Sequence, residues 1–383
     1  MKPSSTPQIQ RLEVRSLNLE LSESFAISGG SVDVAELLLF RLIDATGNIG
    51  LGEAAPFPAY DGMTREAVLE AIPRLDFSFL EDSPPSQEIT ESLSWIAEQW
   101  SVNKVSGPLL AAVEMSWWDL LGKFLQKPIW QLFSDREHSA ETGITIVVGD
   151  EDHARKSAEK YRKQGFSDLK VKLSGDVQKD LSRMIAVRDA HPECRLLLDA
   201  NGGFNLADAL SFVDELSALG LEIDFLEQPF PAGALEENRE LVSHCPIPIL
   251  ADESCTSVES LQACFNDGAF AGVNLKTQKS GVWESVLIHE AALQSGRTLM
   301  IGGMVESPLS MTLSAHLVRG LGSFDWVDLD TPLFMKEHPF MGGIQFDSGA
   351  VQLSAEPGLG ISLNPNFAGW ADSEWIPVWQ REK

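Results

Sequence analysis

Cysteine is scarce in this chain: Cys194, Cys245, Cys255 and Cys264 are the four in 383 residues. They form no CxxC pair and no zinc-type spacing, so they read as buried, inert thiols. No apolar run approaches the roughly 18 residues of a membrane span. The opening stretch MKPSSTPQIQRLEVRS lacks the apolar segment of a secretory signal, so a cytoplasmic location without a membrane partner is expected. Positive charge is also short, with 29 Lys and Arg against 56 Asp and Glu, a formal net charge of −27. Nucleic-acid binding needs basic patches, and this balance argues against it. An acidic surface instead favours solubility and attracts cations.

What is present is enough apolar material, 44% of the chain, for one large core or two modest domains. Residues 9–21 and 35–43 read as strands, and IGLGEAAPFP continues as strand and loop. GPLLAAVEMSWWDLLGKFLQ reads as a helix, with apolar residues three and four apart and Trp117 and Trp118 as packing residues. From about residue 141, short apolar runs alternate with longer amphipathic segments. The runs are GITIVVG, DLKVKLS, CRLLLDAN, IDFLEQPF, IPILADES, GVNLKTQ, TLMIGGM and WVDLD. Their closing polar residues Lys172, Asp199, Glu227, Asp252, Lys276, Glu306 and Asp330 recur 24–30 residues apart. Strands alternating with helices at this period predict parallel βαβ units closed into a barrel, whose chemistry sits at the C-terminal strand ends. MGGIQFDSGAVQLSAEPGLGISLN reads as hairpin material returning to the N-terminal part.

Lys170 and Lys172 stand two apart on a strand and share a face. Alone, such a pair reads as an exposed edge; inside a barrel, each ammonium would lower the other's pKa and one could serve as a base. Asp199, Glu227 and Asp252 each close an apolar run on three successive strands. Singly, each could be a helix N-cap. Three in register between lysines form a set of hard oxygen donors suited to Mg²⁺. Lys276 falls four strands beyond Lys172, across the barrel. Opposed lysines suit removal of a proton from one face of a carbon acid and its return to the other. A metal on the carboxylate oxygens would stabilise the enediolate between.

These motifs, together with LGEAAPFPAYDG, EMSWWDLLGK and PGLGI, resemble the enolase superfamily in its muconate-lactonizing-enzyme subgroup. The likeness spans nearly the whole chain. It implies an α/β fold, a modified TIM barrel of (β/α)7β type with an α+β capping domain. The expected parts are a cap at 1–133, a barrel at 134–335 and a returning segment at 336–383. It further implies one Mg²⁺ on Asp199, Glu227 and Asp252, acid–base roles for Lys172 and Lys276, and charge stabilisation by Lys170. A homo-oligomer is compatible with the resemblance.

Asp328 and Asp330 in DLDTPL are again two apart, at the eighth strand end, and resemble the DxD signature of dipeptide epimerases. Two carboxylates can accept the protons of a buried substrate ammonium. They would repel a succinyl group or a second substrate carboxylate, which counts against o-succinylbenzoate synthase, N-succinylamino-acid racemase and cycloisomerase readings. A Schiff-base aldolase would not need the three acids, and a non-catalytic binding protein would not need the set of lysines. By the same resemblance Thr145, Gly303 and Val305 contact substrate, with Gly303 and Val305 on one strand face and Met304 on the other. Glu306 reads as a helix-start acid. The loop ESFAISGGSVD is expected to close over the substrate. It has no basic residue between Phe25 and Val34, so a hydrophobic or mixed dipeptide is expected rather than one ending in glutamate.

Overall fold

The computed structural model describes residues 6–81, 91, 94, 95, 97–99 and 107–382. Residues 1–5, on which the signal reading partly rests, lie outside them, as do stretches of the expected 1–133 segment and Lys383. Two long antiparallel strands open the chain, β1 (Ile9–Ile27) and β2 (Gly30–Asp44), followed by β3 (Ile49–Ala54). Here the sequence expectation is corrected. The stretch read as a loop is the end of the β1–β2 hairpin, with Ile27 paired to Gly30 and only Ser28 and Gly29 as the turn. The reason is a period of two: Phe25 and Ile27 both turn inward and are buried. A register shift between Glu20 and Phe25 bends the hairpin there.

Strand β3 packs on the helix Gly107–Leu125 at glycine contact distance. A Cβ on Gly52 would stand 1.9 Å from the Ala112 carbonyl oxygen, so only glycine lets strand and helix meet. Trp117 and Trp118 of this helix are buried in the core. Its Asp119 is buried too and accepts hydrogen bonds from the backbone N–H of Leu51 and of Leu359, each at 2.8 Å. One carboxylate thereby ties the N-terminal sheet to the PGLG turn of the C-terminal segment.

Eight parallel strands follow: β4 (Ile144–Ile146), β5 (Asp168–Lys172), β6 (Arg195–Asp199), β7 (Phe225–Glu227), β8 (Ile249–Ala251), β9 (Gly272–Leu275), β10 (Thr298–Ile301) and β11 (Trp326–Val327). Each pairs with its sequence neighbour. The curl closes where Gly143 N–H donates to Val327 O at 2.7 Å. Helices follow the first seven strands and a 3-10 turn (Thr331–Phe334) follows the last, giving the (β/α)7β arrangement. Side chains of Asp150, Asp176, Asn205, Ser257 and Ser307 cap the N-termini of five of these helices. Leu197, Phe225, Leu250 and Met300 fill the barrel floor.

After the barrel come β12 (Phe340–Gly342), β13 (Gln345–Asp347), β14 (Ala350–Gln352), β15 (Ile361–Leu363) and β16 (Ile376–Gln380). Strand β16 pairs antiparallel with β1, completing the sheet β16-β1-β2-β3. Strand β3 also reaches the barrel directly: the Glu53 carboxylate accepts from Ser307 N–H at 2.9 Å, at the start of the helix Pro308–Leu321. Among the described residues no helix is long and apolar enough to cross a membrane.

Candidate active site

Lys170 and Lys172 lie on β5, Asp199 and Glu227 close β6 and β7, and Asp252 and Lys276 follow β8 and β9 by one residue. All six side chains are buried at the barrel mouth. Lys170 Nζ stands 3.1 Å from Asp199 Oδ2, 2.9 Å from Glu227 Oε2 and 2.9 Å from Asp328 Oδ2. Lys172 Nζ meets Asp199 Oδ2 at 2.7 Å, and Lys276 Nζ meets Asp252 Oδ2 at 2.6 Å. The three acids are therefore not helix N-caps; the nearest helix after Asp199 is capped by Asn205.

An ammonium does lower its neighbour, as Lys170 lowers Lys276, but carboxylates outweigh that effect at Lys276 and hold Lys170 up as well. Burial pulls Lys170 down, but Asp328, Glu227 and Asp199 outweigh it and hold it well above the ordinary lysine value. Lys276 is likewise held up, burial being outweighed by Asp252 and Glu227. Burial pushes the acids up, yet Lys172 and Lys170 bring Asp199 down to about 2. Lys276 and Lys279 hold Asp252 far below the carboxylate range. Glu227 goes the other way, to about 7, through burial and then the charge of Asp199.

Glu227 is thus the acid least compensated by protein cations. Its Oε2 touches Lys170 but accepts no well-formed hydrogen bond. An orphaned buried oxygen beside two further carboxylates is what a hard cation would satisfy. Among the described residues no three acidic, histidine or cysteine side chains already converge on one point; Lys170 bridges Asp199 and Glu227 instead. The donor chemistry fits a divalent ion, provided the lysine swings aside.

Asp328 and Asp330 follow the two-residue β11. Asp330 accepts from Thr145 N–H, which anchors it to the first barrel strand. Burial and then the charge of Asp328 raise its carboxyl to about 7. Asp328 Oδ1 accepts no hydrogen bond. Both acids line one cavity with Lys172, Lys276, Thr145 and Gly303, walled by Phe25, Ile27, Phe57 and Met304. Its free volume is about 10 Å³, room for about one water. Anything larger enters only when the wall moves.

The strand-face reading of Gly303 and Val305 fails in part. Strand β10 ends at Ile301, so the alternation does not extend to 303–305. Gly303 and Met304 line the cavity, whereas Val305 is buried and does not. Glu306 accepts from Met304 N–H at 2.7 Å and from the Ser310 hydroxyl, pinning this loop to the following helix.

Several side chains escaped the sequence reading. Tyr60 donates its hydroxyl to Asp252 Oδ1 at 3.0 Å from 192 positions away, and nothing local in the sequence announces it. Lys279 spends its three protons on Asp252 O at 2.7 Å, Asn274 O at 2.7 Å and Asp252 Oδ1 at 3.0 Å. The second lysine in NLKTQKSG was a visible signal for it. Gln228, in LEQPF, accepts from Asp252 N–H at 2.9 Å and so sets the end of β8. Asn274 donates to Glu227 Oε1 at 2.6 Å.

Strand-end carboxylates on adjacent strands, flanked by lysines on opposite walls of a parallel barrel, define an α/β-barrel enzyme class. Residues 153–367 match the enolase C-terminal domain-like family. The chain belongs to the enolase superfamily, in its muconate-lactonizing-enzyme subgroup. It is 36% identical to an aromatic dipeptide epimerase of Herpetosiphon aurantiacus, over 93% of this chain and 99% of that one. The structure of a dipeptide epimerase from Enterococcus faecalis V583, complexed with Mg and L-Leu-L-Tyr, superposes with a TM-score of 0.86. It is 27% identical, covering 93% of this chain and 99% of that one. An N-succinyl Arg/Lys racemase from Bacillus cereus ATCC 14579, 23% identical, shares the fold at a TM-score of 0.88, covering 96% and 100%. Fold alone therefore does not separate these activities; the site must.

Proposed function

We propose that this protein is a Mg²⁺-dependent dipeptide epimerase that inverts the α-carbon of the C-terminal residue. The observation that carries the reading is the single cavity holding Lys172, Lys276, Asp328 and Asp330 within apolar walls. Asp199, Glu227 and Asp252 would hold the metal, which when bound neutralises the substrate carboxylate and so acidifies the adjacent C–H. Lys170 adds a second positive charge at that carboxylate. Lys172 on the second barrel strand and Lys276 after the sixth flank the α-carbon from opposite sides. One removes the proton as the neutral amine and the other returns a proton as the ammonium. Asp328 and Asp330 receive the N-terminal ammonium, and an anionic succinyl group there would meet two carboxylates.

Phe25, Ile27, Phe57 and Met304 supply the walls, and the hairpin tip offers no cation. Hydrophobic side chains should be preferred over glutamate. The test is a library of L,L-dipeptides incubated in D₂O with Mg²⁺ and read by mass spectrometry. Deuterium is expected at the C-terminal α-carbon of apolar dipeptides, and exchange should stop on chelation and return with Mg²⁺. No exchange in any dipeptide would overturn the reading.

The hairpin tip also bears on access. A Cβ on Gly29 would lie 2.1 Å from the backbone oxygen of Ala59, in the turn Pro58–Asp61. Gly29 is exposed, so the tip can relax outward instead of unfolding the protein. Gly29→Ala is expected to change unfolding stability by less than about 1 kcal/mol. It should nonetheless lower kcat/KM about tenfold by misplacing the wall. Denaturant unfolding and steady-state kinetics on the same sample check both halves.

A further inference from the structure

The two opposed lysines are not held alike. Lys276 Nζ lies 4.8 Å from the centroid of the Tyr60 ring, and the hydroxyl of that ring donates to Asp252 Oδ1 at 3.0 Å. Oδ2 of the same aspartate takes Lys276 at 2.6 Å. Tyrosine, aspartate and lysine therefore close a triangle. Among the described residues no aromatic ring faces Lys172, which rests on Asp199 alone. Tyr60 reaches the barrel from the turn Pro58–Asp61, whose backbone is held by Gly62 N–H donating to Pro58 O at 3.0 Å. Gly29 of the hairpin tip abuts the neighbouring Ala59.

We propose that Tyr60 is a positioning residue for one of the two proton-transfer directions: its ring face aims Lys276 at the substrate, while its hydroxyl orients Asp252 for both. The inference rests on the epimerase reading. The physical basis is the attraction of an ammonium to the negative ring face, which also restricts a long, flexible side chain to one side. Seating of the turn that carries Tyr60 thereby completes the Lys276 side of the site. The Lys172 side is complete from barrel residues alone.

The test uses the full-length Mg²⁺-loaded enzyme and the initial rate of α-deuterium incorporation, measured separately for the L,L and L,D epimers of one apolar dipeptide. Lys276→Ala first identifies which epimer depends on Lys276, as the one whose exchange it abolishes. Tyr60→Phe keeps the ring and loses the hydroxyl; it should slow both epimers by a similar factor and leave their ratio unchanged. Tyr60→Leu loses both, and should shift the ratio about tenfold against the Lys276-dependent epimer. A ratio unchanged in Tyr60→Leu overturns the proposal, since a general packing role slows both directions together. A ratio shifted equally in Tyr60→Phe also overturns it, by giving the effect to the hydroxyl. A wild-type enzyme that exchanges neither epimer would instead reject the epimerase reading itself. Tyr60→Phe changes one polar atom, so the comparison survives even if the leucine variant folds poorly: an altered ratio in Tyr60→Phe alone suffices to overturn the proposal.

Discussion

Lys276→Ala should abolish interconversion of the two dipeptide epimers, by about 10²–10⁴-fold, the contribution of a positioned acid–base group. It should nevertheless leave one epimer able to exchange its α-hydrogen with solvent, because Lys172 still reaches that face. Lys172→Ala should give the mirror result, with exchange surviving in the other epimer. ¹H NMR of each pure epimer in D₂O distinguishes this from a general loss of activity. Both variants should fold, since neither strands a buried carboxylate. Without Lys276, Asp252 keeps Lys279 at 3.0 Å, and without Lys172, Asp199 keeps Lys170 at 3.1 Å. Full two-way epimerisation by either variant would remove the lysines from the mechanism.

Asp328→Asn and Asp330→Asn should each lower kcat/KM for a free dipeptide by roughly 10²–10³-fold, as expected when one partner of a buried charge pair is neutralised. The wild-type enzyme should discriminate against an N-acetylated dipeptide to a similar degree, because the acetyl group removes the charge these acids are proposed to bind. The pH dependence has a definite sign. Asp330 is raised to about 7, so below that pH it is increasingly protonated and a poorer partner for an ammonium. KM should therefore fall as pH rises through about 7. It should climb again above about 8, where the peptide amine loses its own proton. A flat KM over this range, or an acetylated dipeptide turned over as well as the free one, would dissociate the aspartate pair from the substrate amine. Asp328 has a second tie, to Lys170 at 2.9 Å, so its variant should also disturb the lysine proposed to face the substrate carboxylate. Asp330 has no such lysine contact within ion-pair distance among the described residues, and its variant is the cleaner probe of substrate binding.

The cavity geometry adds a constraint on turnover. With about 10 Å³ free, the site is walled by Phe25, Ile27, Phe57 and Met304 and lined by Lys172, Lys276, Asp328 and Asp330. Anything larger than a water must displace that wall, and a divalent ion held by Asp199, Glu227 and Asp252 would require Lys170 to leave Glu227. The Gly29 contact and the Tyr60 ring place the hairpin tip and the Pro58–Asp61 turn beside one another at this wall.

Much of this protein was legible as a string of residues. Asp199, Glu227, Asp252, Lys172 and Lys276 stand out because a charged residue closing an apolar strand has few places to go except the barrel mouth. Their even spacing reports the length of a βα unit. The alternation rule also put Lys170 with Lys172 on β5; Asp328 and Asp330 come together past the end of β11, where Asp330 is already helical, so alternation does not account for that pair. It failed where strand geometry ended. Beyond Ile301 the backbone leaves the extended state, so Met304, not Val305, joins Gly303 at the cavity. It also missed that Phe25 and Ile27 continue a strand, because glycine and serine in the turn read as a longer loop. The raised value of Lys170 has another cause. A lysine stands two residues away in sequence, but the acids that dominate the electrostatics of Lys170 are Asp328, Glu227 and Asp199, from three other strand ends. Local period and polarity thus determined the fold and the barrel residues of the site. Only tertiary structure decided that Tyr60 lies against Lys276, that Lys279 grips Asp252, and that room for about one water is left beside Tyr60 and Lys276. Those contacts join positions far apart in the chain, and no local pattern encodes which distant side chain will fill a given gap.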